Sequence, residues 1–429
     1  LGFAYAGAGT STFGLGSMFW NPANITNFQG RNSEYNFFLI LPDTSLTTTS
    51  ASLTNGTPFT ALGIPSNKSG NVNQGTFTTA SYNSFQINDR LWIGLQTGTP
   101  FGSRTKSDAG FAGSVTGTSS IVRGIAITPT LGFKATEWLS FGGGVTIQQL
   151  TVDLKGGDNR LLPAAAGVPA AARGNFVAAL SPNRIKGDAY GIGWTAGVTI
   201  KPFQGTEIGL GFRSHIKHKL DGEIDLALPT GINSTLIQSN VNLPEIATFG
   251  ISQKLTDKFT VTGTVQWTNW SRINVAPVTS RVTGAPVTAL GFRYRDEYFY
   301  AIGAQYQYND QLKLRAGAAY EISPITDETR GSRLLDNDRV WLSAGIGYKW
   351  NEQLEFDIGY SHIFLRNGNV NIVGAGNPLN PAGNPAFTAF NYSGTTKGSV
   401  DIISFSLKYR FDSPAPVAAA VVKPVVKKF

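Results

Sequence analysis

A two-residue rhythm restricts this chain more than any other feature. Successive side chains of a β-strand point to opposite faces, so alternation of apolar and polar residues marks a strand whose two faces meet different surroundings. Over 403–411, Ile403, Phe405, Leu407, Tyr409 and Phe411 share one face and Ser404, Ser406, Lys408 and Arg410 the other. Over 190–201, Tyr190, Ile192, Trp194, Ala196, Val198 and Ile200 oppose Gly191, Gly193, Thr195, Gly197, Thr199 and Lys201. The stretches 259–268, 312–321 and 354–361 repeat the pattern. The polar face carries charges, Thr, Gln and many Gly, and the apolar face often ends in Tyr, Trp or Phe. A soluble sandwich alternates too, but its polar face is outside and richly charged.

The punctuation between these stretches has two lengths. Tight polar turns stand at Thr256-Asp257-Lys258, Asn309-Asp310-Gln311 and Asn351-Glu352-Gln353, whereas long Ser/Thr/Asn/Gly/Pro segments lie near 42–76, 156–186 and 370–396. Short turns at one end and long loops at the other are the pattern of an outer-membrane barrel. In lipid every backbone donor and acceptor needs a partner, and only closure supplies one to both edge strands. The expected fold is therefore all-β, a transmembrane antiparallel β-barrel. Fourteen candidate strands lie near 34–41, 77–88, 90–101, 120–134, 138–154, 187–201, 205–226, 237–253, 258–274, 293–308, 311–325, 336–349, 353–368 and 397–411. The even count suits a single-chain bacterial barrel.

Composition removes the rivals. Charged residues are 14%, against roughly 25% in ordinary soluble domains. No run of about 18 apolar residues exists, as a transmembrane helix requires. Cysteine is absent, so a disulfide framework and thiol chemistry are excluded. The net charge of +8 is scattered rather than gathered on one face, which argues against nucleic acid. The chain opens at Leu1-Gly2 without Met, as a processed or truncated chain does. Residues 1–33 lack steady alternation but carry Phe3, Tyr5, Phe13, Leu15, Phe19 and Trp20, too apolar for a free tail. They are expected to plug the lumen of a barrel spanning 34–411. Residues 412–429, rich in Pro, Ala, Val and Lys, are expected to form a flexible periplasmic extension.

Residues 1–26, LGFAYAGAGTSTFGLGSMFWNPANIT, resemble the plug, or hatch, of the FadL/TodX family of outer-membrane fatty-acid and hydrocarbon transporters, with Asn21-Pro22-Ala23 as its motif. Further matches follow in the family's order: YGIGWTAGV at 190–198, GFRSHIKHKLDG at 211–222, NLPE at 242–245, WTNWS at 267–271 and DRVWLSAGIGY at 338–348. They span nearly the whole chain. The departure is at the start, where family plugs carry roughly another dozen residues. The resemblance implies a fourteen-strand barrel closed by the hatch, in the outer membrane of a Gram-negative bacterium. It implies passive transport: hydrophobic ligand is captured outside, passes to a pocket near the hatch, and leaves through a gap made by a kinked third strand.

The same resemblance assigns roles, each beside a plainer reading. Asn21, Pro22 and Ala23 would line the wall gap; alone they read as a turn. Gly98, Pro100 and Gly102 interrupt the third strand, either as a kink that opens the wall or as a strand end. Arg295 would hold a polar head group by a charge-assisted hydrogen bond, or it pairs with Asp296 or Glu297. Lys155 stands near a second such position. Phe3, Phe13 and Phe19 are expected apolar contacts of the hatch. Leu161, Leu162, Phe176, Val177 and Leu180, in an apolar external loop, would form the capture groove; otherwise the loop is a helical lid. His215 and His218, three apart on a strand, point to opposite faces and should not share a metal; His362 stands alone. No GxSxG or other local catalytic signature occurs, so neither an enzyme nor a cofactor is expected. The expected partners are a fatty acid or hydrocarbon, outer-membrane lipid and lipopolysaccharide, with the protein a monomer. The alternative from another class is an adhesin or receptor barrel that binds host or phage through its loops.

Overall fold

A computed structural model describes residues 1–412 except 55, 63, 65–66, 109–110, 116, 157–182, 229–230 and 374–389. Its strands are β1 (Arg31–Leu53), β2 (Thr76–Gln86), β3 (Leu91–Lys106), β4 (Ser119–Lys134), β5 (Leu139–Lys155), β6 (Asn183–Ile200), β7 (Thr206–Arg213), β8 (Ile216–Leu228), β9 (Gly231–Leu243), β10 (Ile246–Lys254), β11 (Phe259–Thr268), β12 (Val275–Ser280), β13 (Pro286–Gly291), β14 (Glu297–Gln307), β15 (Leu312–Ile322), β16 (Arg339–Lys349), β17 (Leu354–Leu365), β18 (Gly368–Ile372) and β19 (Phe390–Arg410). All belong to one sheet with antiparallel neighbours, and β1 pairs with β19 from Asn32↔Arg410 to Leu53↔Phe390, so the sheet closes. Fourteen strands complete the ring: β1–β7, β10, β11, β14–β17 and β19. The other segments extend the wall beyond the long-loop end: β8 and β9 pair with each other, β12 pairs with β9 and β13, and β18 pairs with β19.

The alternation acts as expected. Ile192 is 71% and Ile302 72% exposed, while Thr195 on the other face of β6 is 2% exposed. Such an inverted surface is stable only where lipid surrounds it, because its outward apolar side chains then avoid water. Trp138, Phe203, Tyr308, Trp350 and Phe411, all exposed, stand at the short-turn end, as the aromatic belt of a membrane interface requires.

Residues 1–28 run across the inner face in three short 3₁₀ turns, Ser11–Phe13, Leu15–Phe19 and Pro22–Asn27. They lie so close to the wall that only glycine fits beneath them. A Cβ on Gly211 would stand 1.7 Å from the Trp20 carbonyl oxygen, and one on Gly317 would stand 2.1 Å from that of Phe3. Met18 and Ile25 pack with Leu15, Tyr82 and Trp92, while Phe3, Ala4 and Ala6 pack with Phe299, Trp341 and Ile363. Ala4 and Tyr5 hold φ of 50° and 61°, a left-handed conformation that costs non-glycine residues and persists where packing enforces it.

The strand positions expected from sequence fall on the ring strands, with two differences. β1 and β19 run farther toward the long-loop end, to Leu53 and from Phe390. There the outward face of β1 turns to Asp43 and Ser45, so the contrast between faces fades although pairing continues. The stretches expected at 205–226 and 237–253 each break in two, at Ser214-His215 and at Pro244-Glu245. His215 therefore lies off the strands and pairs with Glu245 at 3.6 Å, while His218 is buried. His362 is not alone: its Nδ1 lies 2.7 Å from Asp401.

Candidate ligand cavity and wall opening

The wall is interrupted beside β3. β3 pairs with β2 only from Gln86↔Trp92 to Ser81↔Thr97. Beyond that rung β2 continues along β1 to Thr76↔Ile40, and β3 continues along β4 to Lys106↔Ser119. Residues 76–80 and 98–103 thus face each other without a ladder. The window closes above, where Gln74 N–H donates to the Arg104 carbonyl at 2.9 Å and Lys106 N–H to that of Val72 at 2.7 Å.

The local cause is a bulge. Gly98 pairs with Ala126 and Phe101 with Gly124, so Thr99 and Pro100 together oppose Ile125. Pro100 has no N–H to donate, and the added residue bends the strand away from β2. It also reverses the alternation. Ile93 and Leu95 face out before it; Arg104 and Lys106 face out after it, and Phe101 turns inward against Trp270 at 5.9 Å.

A cavity of ≈ 260 Å³ lies behind the window. Its lining includes both window edges, Thr78–Ala80 and Gly98–Pro100, together with Phe3, Tyr5, Phe13, Phe19 and Trp20 of the N-terminal segment. These rings hold one another: Tyr5–Trp20 centroids are 5.5 Å apart, Phe13–Trp20 5.1 Å and Phe19–Trp20 5.1 Å. Pockets that are mostly apolar with a few convergent polar groups are the usual form of small-molecule sites. Below the segment, toward the short turns, lies a wider hollow of ≈ 850 Å³ lined by Glu137, Lys201, Glu207, Lys254, Lys349, Glu352 and other polar residues.

The polar lining is mostly self-neutralised. Arg315 is bonded to Asp357, and Lys408 to Asp357 and, at 3.3 Å, to Glu355. Lys313 meets Glu355 at 3.0 Å. Glu34 accepts from the backbone N–H of Leu15 at 2.8 Å and from Asn36 at 3.0 Å. Burial pushes the Tyr5 hydroxyl up to about 12, so it stays a neutral phenol among the rings.

The residues singled out from sequence divide among several places. Phe3, Phe13 and Phe19 line the cavity, as do Gly98 and Pro100, while Gly102 stands farther along the bulged strand. Asn21, Pro22 and Ala23 are buried against β5–β7 instead. The Asn21 amide lies 3.0 Å from the Val198 carbonyl and 3.0 Å from Thr199 Oγ1, and its Oδ1 caps Ala23 N–H at 3.1 Å. Arg295 is half-exposed, donates to the Ser323 carbonyl at 2.9 Å and pairs with Asp338 at 3.2 Å, not with Asp296 or Glu297. Lys155 is exposed at the end of β5. Neither cation lines the cavity. Leu161, Leu162, Phe176, Val177 and Leu180 lie outside the described residues. Sequence reasoning passed over Arg213, which does line the cavity; nothing local in GFRSHIK distinguishes it from a lumen ion pair.

The family model of outer membrane protein transport proteins (OMPP1/FadL/TodX) matches residues 1–411. The long-chain fatty acid transport protein of Escherichia coli O6:H1 is 25% identical over 388 residues, covering 85% of this chain and 84% of that protein. In fold, the chain is similar to a Pseudomonas aeruginosa FadL homologue, with TM-score 0.81, 23% identity and coverage of 96% and 97%. It is also similar to the Ralstonia pickettii toluene transporter TbuX, with TM-score 0.66, 19% identity and coverage of 95% and 97%. With a match from end to end of the barrel and a closed ring inverted for lipid, the chain belongs to the outer membrane protein transport protein family (OMPP1/FadL/TodX), and is a multi-pass β-barrel of the Gram-negative outer membrane that transports rather than catalyses.

Proposed function

We propose that the protein carries hydrophobic small molecules, long-chain fatty acids or hydrocarbons, passively across the outer membrane and releases them sideways through the wall. Ligand is captured by a groove in the external loop at 156–186, passes to the cavity against the N-terminal segment, and leaves between β2 and β3. The segment acts as a hatch that closes the straight route. The protein works as a monomer bounded by lipid and lipopolysaccharide.

One observation carries this reading: a single cavity is lined both by the aromatic residues of the segment and by both edges of the window. Backbone at membrane depth without a ladder is tolerated where it lines a cavity. An apolar solute also gains by the sideways route, because the alternative is the polar hollow beneath the segment, where its transfer from cavity to water is unfavourable. The relatives agree in kind, one being named for long-chain fatty acid and one for toluene.

A reversible lock tests it. The chain has no cysteine, and a Cβ on Gly98 would lie 3.3 Å from that of Ala80, near the roughly 3.5–4.5 Å of a disulfide. Ala80→Cys with Gly98→Cys, oxidised, should cut uptake of labelled fatty acid or toluene several-fold, and reductant should restore it. Full uptake in the oxidised form overturns the sideways exit. Pro22→Gly, in the segment, should alter uptake while the barrel still assembles; unchanged uptake of every apolar compound tested removes the segment from the route.

A further inference from the structure

The outward face of β3 and β4 changes character at one level. On β4, Phe133, Leu131, Ile127 and Ile125 are exposed on the lipid side, and the next outward charged residue is Arg123. On β3, Ile93 and Leu95 face out below the bulge, and Arg104 and Lys106 face out above it. Arg123 pairs with Gly102, Arg104 with Ile121 and Lys106 with Ser119, so the three cations share one patch of the outer surface. Diagonal neighbours across a ladder stand about 7–8 Å apart, and alternate residues of one strand about 7 Å. All three are exposed.

None of the three has an ion-pair partner among the described residues. Asp153, opposite Ile121 on β5, is bonded to Arg184 at 2.6 Å, and no ion pair reaches the patch from Asp43 or Asp108. Elsewhere on the long-loop end several charges are matched within the protein, Lys186 with Glu223 at 3.5 Å and Arg281 with Asp221 at 3.6 Å. Like charges that adjoin on one face of a sheet repel, so this patch calls for an anion from outside. Its height says which kind. Long loops mark the external side of an outer-membrane barrel, and the patch begins where the apolar band of β4 ends. It therefore stands at the headgroup level of the outer leaflet, where clustered Lys and Arg attract anionic lipid.

We propose that Arg104, Lys106 and Arg123 bind a phosphate of lipopolysaccharide, through its lipid A, on the outer surface of the wall. A phosphate monoester carries a charge of about −1.5 to −2 at neutral pH, which three converging cations can balance, and the arginines suit it by their bidentate donors. The acyl chains then lie down the wall against Ile125 and Ile127. A free phosphate ion would use the cations and leave that adjoining apolar surface unused. The window between 76–80 and 98–103 adjoins Arg104, so the chains of the bound lipid stand beside the opening. The assignment rests on the outer-leaflet surroundings given in the transport reading and does not depend on the sideways exit.

The test compares diphosphoryl lipid A with the same lipid stripped of both phosphates, which keeps the sugars and chains and loses the charge. The ratio of the two affinities is measured by competition binding to the intact protein in neutral detergent. Wild type should favour the phosphorylated lipid. Arg104→Gln, Lys106→Gln and Arg123→Gln together should lower the ratio at least about ten-fold, and Arg123→Gln alone about five-fold. Inorganic phosphate, at the concentration where unlabelled lipid A displaces the labelled lipid, should displace none of it; equal displacement would assign the patch to a free ion and overturn the proposal. No preference in wild type, or a ratio unchanged in the triple variant, overturns it as well. Uptake of labelled fatty acid by wild type, measured alongside, reports separately on the transport reading. Should the triple variant not assemble, Arg123→Gln decides by the same ratio, and no change there overturns the proposal.

Discussion

The strand pairs β15–β16 and β2–β3 flank the same N-terminal segment and treat it in opposite ways. β15 and β16 hold ten consecutive rungs, Leu312↔Tyr348 to Glu321↔Arg339, and there the segment lies backbone on backbone over Gly317 and Gly345. β2 and β3 hold six, Ser81↔Thr97 to Gln86↔Trp92, then part. There the segment meets the wall through side chains, Met18 and Ile25 over Gly94, and leaves a cavity above. A complete ladder thus accompanies seamless contact, and a broken ladder accompanies space. Segment and wall are separate layers, and the cavity of ≈ 260 Å³ lies where the β2–β3 ladder parts.

Substitutions can break that contrast. The largest effect is expected on the tight side. Gly317→Val has no room, since its Cβ would stand 2.1 Å from the Phe3 carbonyl oxygen and 2.3 Å from that carbonyl carbon. It should cost on the order of 3 kcal/mol, read as a lower urea midpoint, and should loosen the segment enough to raise ion conductance in planar bilayers. A midpoint equal to wild type would mean that the close contact is not needed. Asn21→Ala should come next, at about 2 kcal/mol, because it removes the cap on Ala23 and leaves the Val198 and Thr199 sites without the amide. Faster amide exchange confined to residues 1–28 is the expected signature, and exchange spread over the barrel would contradict it. Gly98→Val should be smallest, below about 1 kcal/mol. Its nearest neighbour is the Ala80 Cβ at 3.3 Å, across a gap with no rung to strain. A loss as large as that of Gly317→Val would show that the window is as rigid as the closed wall.

The ring was open to reading because a lipid-bounded wall prints its two environments on every second residue. Tyr190 to Ile200 and Ile403 to Phe411 carry that print without a break. It fades where both faces meet water, so the far reach of β1 beyond Leu41 was missed, as was that of β19 before Lys397. The glycines of the inner face were visible as a class, but their reason was not. Gly211 and Gly317 are glycine because a second layer of backbone lies on them, and contacts across 190 or more residues leave no local trace. The aromatic half of the cavity was legible in Phe3, Phe13 and Phe19, whose hydrophobicity has no place in a free tail. The cationic half was not. Arg295 and Lys155 came from alignment alone, and they stand respectively beside Asp338 and at an exposed strand end. What sets Arg213 apart is the want of a carboxylate partner among the described residues, a property of three dimensions.

The bulge at Thr99-Pro100 makes two traits inseparable in descent. Because one surplus residue reverses which way the rest of β3 points, the strand above it sends Arg104 and Lys106 outward, beside the exposed Arg123, and keeps Phe101 indoors. A lineage that lost that residue would not simply regain an unbroken wall. It would bring two cations into the lumen and push a phenylalanine out at their level, and a lineage inserting a residue elsewhere in β3 would meet the same bill twice. Loops can drift in length freely, but this strand can change its residue count only by rebuilding a whole side of the barrel.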